Sequence, residues 1–432
     1  MTQRGARRQL DLLRRAREFR LLFLSAVGSG LGTRLAVLAL IVDIWDRTHS
    51  GKWVAALLVG DFVPMIVIGL LLGSFVDRFS RRRLMIGSDL LRCAVFCLLP
   101  FATSSWMVVG LASVAGFATG FFRPAVYAGL PNLVSDAELP EANGLFQAAE
   151  NLTWMLGPLL GGVLLSFSTP DLAYWVNAVT FLFSALLIVR IPERLLQSEK
   201  ALSEGHWRDL AEGYRLAARS RALMTVLVGW SLVTFALGNS DVSEVELVRV
   251  AFDAGNFGLG LLMAASGLGL IFGSLAAGWV AERWGTAAAY GGSIAAMAVG
   301  LGAAAVASTV WVAAVFVVAM GVGNGIAVVA NSLLVQRGTP DHLRGRAFTL
   351  AMSVTYSALF IGMLIGGVLS DALGARMAWG VAAAVAGVAA VASYLLARGI
   401  PGAVPEHIES LEPLPIVAGA GGDPAELGAL RE

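Results

Sequence analysis

The sequence predicts an all-α integral membrane protein whose twelve transmembrane helices form two pseudo-symmetric six-helix bundles. Three observations predict it: near-continuous apolar runs, a one-sided distribution of Lys and Arg, and an internal repeat. Only 14% of the 432 residues are charged. Soluble domains run nearer roughly 25%, so lipid rather than water is the expected solvent.

A helix crosses the hydrocarbon with about 20 mainly apolar residues. Twelve such runs lie near 20–44, 53–76, 84–101, 106–129, 142–167, 172–190, 222–242, 256–281, 287–306, 309–332, 347–370 and 376–397. Their abundant Gly and Ala suit close helix packing in lipid. The first six runs make an expected N-terminal bundle over 20–190, the last six a C-terminal bundle over 222–397. Residues 1–19 are a basic segment followed by an apolar run too long for a signal peptide and without a small-residue cleavage site, hence a retained first span. The linker 191–221 is polar, and Trp207, Leu210, Tyr214 and Ala218 recur in it at helical spacing. That pattern predicts an amphipathic helix on the membrane surface. The segment 398–432 reads as a disordered cytoplasmic tail.

With the N-terminus in the cytoplasm, 25 of the 31 Lys and Arg fall in inside segments, Arg123 among them. Only Arg47, Lys52, Arg249 and Arg376 lie outside, and Arg34 and Arg92 lie within spans. This bias places both termini inside.

The repeat emerges at an offset of 205 residues. GSFVDRFS at 73–80 then lies over GWVAERWG at 278–285, and GPLLGGVL at 157–164 over GMLIGGVL at 362–369, with no gap between the motifs. Asp136 falls on Asp341, Ala142 on Ala347 and Leu145 on Leu350. Parallel six-span halves of this kind build alternating-access carriers, with the substrate site at their interface near mid-bilayer.

Other chemistries find no support. Cys93 and Cys97 stand one helical turn apart, a poor disulfide geometry, and are too few for a structural metal. His49, His206, His342 and His407 all lie outside the apolar runs. The Gly-rich runs 321–325 and 267–273 have no preceding strand and read as packing surfaces rather than phosphate loops. No clustered nucleophile and base suggests an enzyme. No cofactor, metal or nucleic acid is expected; the expected partners are the bilayer and a small molecule, and the chain is expected to be a monomer.

The loop G-S-F-V-D-R-F-S-R-R-R, with Gly73, Asp77, Arg78, Arg81 and Arg82 in its key positions, resembles the signature of the major facilitator superfamily. It recurs in weaker form at Gly278, Glu282 and Arg283. L-G-P-L-L-G-G, with Gly157, Pro158, Gly161 and Gly162, resembles the motif of the proton-coupled antiporter branches, and Gly366 and Gly367 repeat it. D-L-L-R at 89–92, F-R-P-A at 122–125, L-P-N-L-V at 130–134 and G-T-P-D-H-L-R-G-R at 338–346 look like the bacterial subfamily of macrolide-efflux proteins and siderophore exporters. The resemblance covers about residues 19 to 398. It implies proton-coupled efflux of amphipathic, macrolide-like molecules across the bacterial cytoplasmic membrane, with a siderophore, other metabolite or lipid as the alternative cargo. It also implies that Asp77 latches the inner gate by facing the N-terminus of span eleven near Ala347, where the helix dipole favours an anion. Two departures stand out. LASVAGFATG in span four lacks the usual cation, and span one reads G-T-R-L where G-D-R-L is expected.

Ionisable groups inside a span point to function. Arg34, Asp61 and Glu150 lie deep in the N-terminal half and are the candidates for proton coupling. A carboxylate in a cavity can exchange a proton, and a nearby cation tunes that exchange. The alternative is a fixed Arg34–acid pair that knits spans together. Asp89 and Arg92, three apart, are expected to pair within their helix. Asp43 is expected to reach outer water, and Asp241, Glu244 and Glu246 to form a solvated rim. Gly157-Pro158 removes a backbone hydrogen bond and admits a neighbouring helix, which suits a hinge or tight contact.

Overall fold

The computed structural model describes residues 9, 11–71, 79–196, 220–337, 339 and 344–397, with the backbone alone at 69–71, 337, 344–346, 348 and 397. Gly73, Asp77, Arg78, the linker helix and the C-terminal segment lie outside the described residues.

Among the described residues the chain forms twelve long helices. They are α1 (Arg17–Thr48), α2 (Gly51–Leu71), α3 (Arg81–Leu98), α4 (Ser105–Gly129), α5 (Leu139–Leu165) and α6 (Pro170–Val189), then α7 (Arg221–Glu246), α8 (Gly255–Trp284), α9 (Thr286–Val306), α10 (Val310–Arg337), α11 (Arg344–Leu373) and α12 (Ala375–Ala397). Local chemistry sets their ends. Ser104 and Ser220 cap α4 and α7, their hydroxyls accepting from the Met107 and Leu223 amides at 3.3 Å, and Pro170 opens α6 where its missing N–H costs nothing. At Gly285 and Gly374 φ is 81°, so a glycine lets one helix turn directly into the next.

The 205-residue offset recurs in these starts. Arg81 and Thr286, Ser105 and Val310, Leu139 and Arg344, and Pro170 and Ala375 begin equivalent helices. The packing repeats too: α1 meets α5 and α6, α2 meets α4, and α3 meets α4 and α6, while in the second half α7 meets α11 and α12, α8 meets α10, and α9 meets α10 and α12. The two main crossings between the halves are α5 on α8 and α2 on α11. These are themselves related by the repeat.

Eleven of the twelve helices are long and apolar enough to cross a membrane. The departure from twelve equivalent apolar runs is α5, which Glu141, Asn143, Gln147, Glu150 and Asn151 interrupt along its first half. Large apolar side chains such as Val179, Leu186, Leu275 and Val299 lie on the outside of both bundles, where only lipid can cover so much apolar surface. Trp106 and Trp311, again 205 residues apart, are exposed at the face opposite the termini, the level at which tryptophan anchors helices. The protein is a multi-pass membrane protein.

At the face bearing the termini, Arg81 and Arg82 do more than mark topology. Arg81 donates to the Ala128 carbonyl at 2.7 Å and Arg82 to the Val189 carbonyl at 2.5 Å. They thereby satisfy carbonyls at the C-terminal ends of α4 and α6. Arg83 pairs with Glu193 at 2.9 Å. The Ser80 hydroxyl and the Arg83 guanidinium together hold the Glu193 carboxyl below its ordinary range.

Candidate functional site

A cavity of ≈ 110 Å³ lies wholly in the N-terminal half, between α1, α3, α4 and α5. Arg34, Arg92, Arg123 and Glu150 line it together with Phe122, Tyr127, Phe146 and Trp154. Glycine lets the helices come close enough to enclose it. A Cβ at Gly157 would collide with the Cβ of Arg34, and one at Gly161 would lie 3.0 Å from the Leu35 carbonyl oxygen. Thus α5 crosses α1 at the level of the arginine, and the residue after the contact glycine is Pro158.

Arg34 and Glu150 face this one cavity but do not pair with each other. Glu150 binds Arg123 at 2.5 Å. The guanidinium carbon of Arg34 instead lies 3.4 Å from the centroid of the Trp154 ring, a cation–π contact. Asp61 does not line the cavity. It sits on α2 with its backbone against Gly116 of α4 and forms no ion pair among the described residues. Its charge acts on Arg34 and Arg92 only at longer range. The alternative of a fixed Arg34–acid pair is therefore corrected on both counts.

Arg123 corrects a further expectation. Counted above with the inside segments, it lies within α4, next to Pro124. Span four therefore does carry a cation, three residues beyond the stretch LASVAGFATG. Tyr127, one turn on, stands beside both Arg123 and Glu150.

Asp89 and Arg92 meet at 2.5 Å, both buried. The guanidinium of Arg92 lies between the Phe122 and Phe181 rings, 4.4 and 4.3 Å from their centroids. Asp43 does not reach water. It is 8% exposed and accepts from the Tyr174 hydroxyl at 2.9 Å and from Arg47 at 2.7 Å. Asp241 is exposed, whereas Glu246 accepts from the Ser370 hydroxyl, so the rim on α7 is partly engaged. Glu282 and Arg283 are exposed, Arg283 resting 5.9 Å over Trp279 of its own helix.

The face opposite the termini is sealed. A Cβ at Gly162 would lie 2.9 Å from Gly260 Cα on α8, and one at Gly367 would lie 2.7 Å from the Gly51 carbonyl oxygen on α2. Gly366 is held as closely within its own half, against Asn239 of α7. In each glycine pair the first residue packs inside its bundle and the second bridges to the other. Polar contacts reinforce the seal. Asp371 accepts from the Ser50 hydroxyl at 2.8 Å and the Gly51 amide at 2.5 Å, with Lys52 3.6 Å away. Arg249 pairs with Asp46 at 2.7 Å, and Asn256 donates to the Leu165 carbonyl at 3.1 Å. These contacts between the halves all lie at this face.

Sequence reasoning missed the Trp154 stack, the Arg123–Glu150 pair and the Asp43–Tyr174 bond, which join residues on different helices. Only the run F-R-P-A and the polar first half of α5 hinted at them.

The chain matches, over residues 13–415, the family model described as transmembrane secretion effector. It is 28% identical over 382 residues to the uncharacterized MFS-type transporter YfiS of Bacillus subtilis, covering 85% of this chain and 90% of the relative. It is 24% identical over 369 residues to the multidrug efflux pump Tap of Mycolicibacterium fortuitum, covering 82% and 89%. In fold it resembles a bacterial homologue of the iron transporter ferroportin in an inward-facing state, with a TM-score of 0.71 at 17% identity, over 88% of this chain and 99% of that one. The protein is a transporter, not an enzyme, and belongs to the transmembrane secretion effector family of the major facilitator superfamily.

Proposed function

We propose that the protein exports amphipathic small molecules, macrolide-like drugs among them, in exchange for protons, by alternating access. The observation that carries this reading is the Glu150–Arg123 pair in the wall of a largely apolar cavity. The charge of Glu150 holds Arg123, so neutralising this one carboxylate both frees the guanidinium and changes the charge of the cavity. A proton falling through about 100 mV supplies about 2.3 kcal/mol, enough to drive export against a gradient without a nucleotide. The efflux activity named for Tap agrees with this direction of transport.

The excess of Lys and Arg at the face bearing the termini supports a cytoplasmic position for both ends in a bacterial cytoplasmic membrane. The sealed opposite face is then the outer gate, and the conformation is inward-facing. Asp77, in the signature loop, is the proposed latch of the inner gate. The working unit is a monomer.

The test is a dye and antibiotic efflux panel in cells lacking their own pumps, with and without an uncoupler. Energised cells should lose compounds that empty-vector cells retain, and Glu150→Gln should abolish the uncoupler-sensitive part. Retention equal to that of empty-vector cells for every compound refutes export; full-rate uphill export by Glu150→Gln refutes its part in coupling.

A further inference from the structure

We infer that the cavity of the N-terminal half is a recognition site for the acidic group of an amphipathic molecule. A carboxylate or equivalent oxyanion docks on Arg34, and the adjoining apolar part lies against Trp154, Phe122 and Phe146. This deepens the exporter reading and depends on it only for the direction in which the bound molecule moves.

Arg34 is held by its face and left open at its edge. Its guanidinium stacks on the Trp154 ring, and among the described residues it makes no hydrogen bond and no ion pair. Stacking fixes the plane of the group while its five N–H donors stay available. A stacked, fixed fork matches the two oxygens of a carboxylate better than a mobile ammonium would. Gly157 secures the position, since the crossing of α5 there leaves no room for the Cβ of Arg34 to move toward that helix.

The rest of the wall cannot satisfy Arg34 in place of a ligand. Glu150, the one acid lining the cavity, is already bound by Arg123. Asp89 is bound by Arg92 and does not line the cavity. The wall hydroxyls of Ser29, Thr33, Thr119 and Thr153 each donate to a backbone carbonyl of their own helix. Of the three wall guanidiniums, Arg92 and Arg123 each give a donor to a carboxylate, whereas Arg34 keeps its whole fork for an incoming oxyanion. Aromatic rings on several sides favour an apolar body attached to the acid, the usual division of labour in a small-molecule site. The cavity volume suits the acidic end of a molecule, with the remainder extending into the space between the halves.

The probes are two matched pairs, fusidate with its methyl ester and naphthalene-2-carboxylate with its methyl ester. Binding to the purified full-length protein in nanodiscs is read by quenching of tryptophan fluorescence. The wild type should bind each acid at least tenfold more tightly than its ester. Arg34→Gln should bring that ratio to about one with the ester still bound, which also reports an intact cavity. Arg34→Lys should keep a reduced preference for the acid. Equal binding of acid and ester by the wild type in both pairs overturns the inference, as does binding of neither. An acid preference that survives in Arg34→Gln overturns it too. The wild-type ratio stands alone if the variant does not fold. Acid preference in the purified protein, with no export by cells, would keep this site and refute the exporter reading instead.

Discussion

Gly162→Ala should shift the conformational equilibrium of the carrier without touching the cavity. An added Cβ would lie 2.9 Å from the Asn256 carbonyl oxygen, 2.9 Å from Gly260 Cα and 3.2 Å from Gly260 N. Ordinary contacts of such a carbon begin at 3.4 Å, so α5 and α8 must separate by about half an ångström along the seal. The atoms that have to yield are backbone on both helices, so no side-chain rotation relieves the clash. Overpacking of this kind costs about 1–3 kcal/mol. The cost falls on the state in which α5 and α8 touch and is relieved when that face opens, so the population ratio should move roughly 5- to 150-fold toward the open face. The assay is the distance distribution between spin labels at Thr103→Cys and Ser308→Cys, exposed positions at the sealed face in the two halves, with Cys93 and Cys97 replaced by serine. A longer-distance population should grow in Gly162→Ala. A distribution indistinguishable from that of the parent would refute the assignment of the α5–α8 contact as the gate.

Asp371→Asn should move the same distribution in the same direction but less, by about 0.5–1.5 kcal/mol for the weakened hydrogen bonds from Ser50 and Gly51; an unchanged distribution would show that these bonds follow the seal rather than hold it. Asp46 and Arg249 form a rim pair, half-exposed on the acidic side. A double-mutant cycle there should return about 0.2–1 kcal/mol, shrinking at high salt, and a larger salt-independent coupling would contradict that picture. Gly157→Ala should weaken acid binding because its Cβ displaces Arg34, whereas Gly362→Ala, whose Cβ meets the Phe235 carbonyl, should leave acid binding intact; equal effects in binding titrations would count against the role given to Gly157. Glu193, with its carboxyl held low by Ser80 and Arg83, contributes stability above the ordinary carboxylate range that is lost as pH falls through its lowered value. Thermal unfolding of Glu193→Gln and the parent should therefore differ at neutral pH and converge in acid, and a difference that persists in acid would refute this assignment.

The twelve helices and their pairing into halves were legible because both follow from chain-local quantities. Apolar run length set the helices, and a single offset of 205 set the symmetry, down to Leu139 and Arg344 opening equivalent spans. The glycine pairs were legible as close contacts for the same reason, since small residues at helical spacing have few other uses in lipid. The site was legible only as an inventory. Arg34 and Glu150 were noticed because charge in a span is costly, but their partners lie on other helices. Arg123 is 27 residues from Glu150, and Asp43 is 131 from Tyr174. No periodicity reports such pairs, because the angles at which helices cross decide them. The misplacement of Arg123 has a second cause: the apolar run 106–129 already contains it, but a lone arginine near the end of a span counts as readily toward the adjoining loop; the helix continues through Arg123 and Pro124 to Gly129.

The two halves are alike in packing and unlike in chemistry, and α5 shows why that matters. One helix carries Glu150 and Trp154 in the cavity wall, Gly157 against Arg34, Pro158, and Gly162 at the seal. The twelve helical steps from Glu150 to Gly162 span about 18 Å, with the proline placed where the helix has lost a backbone hydrogen bond and bends most readily. Anything that moves Arg34 or the Glu150 carboxylate therefore acts on one side of that bend, while the seal lies on the other. The counterpart α11 has the same glycines, Gly362, Gly366 and Gly367, but Met363 in place of the proline and the Phe235 backbone in place of the arginine. It can close on α2 as α5 closes on α8, yet it carries no ionisable group at the equivalent contact. Ligand and proton thus act directly on the α5 side of the seal, and the α11 side follows because the Asp371 contacts bind it to the loop at the head of α2.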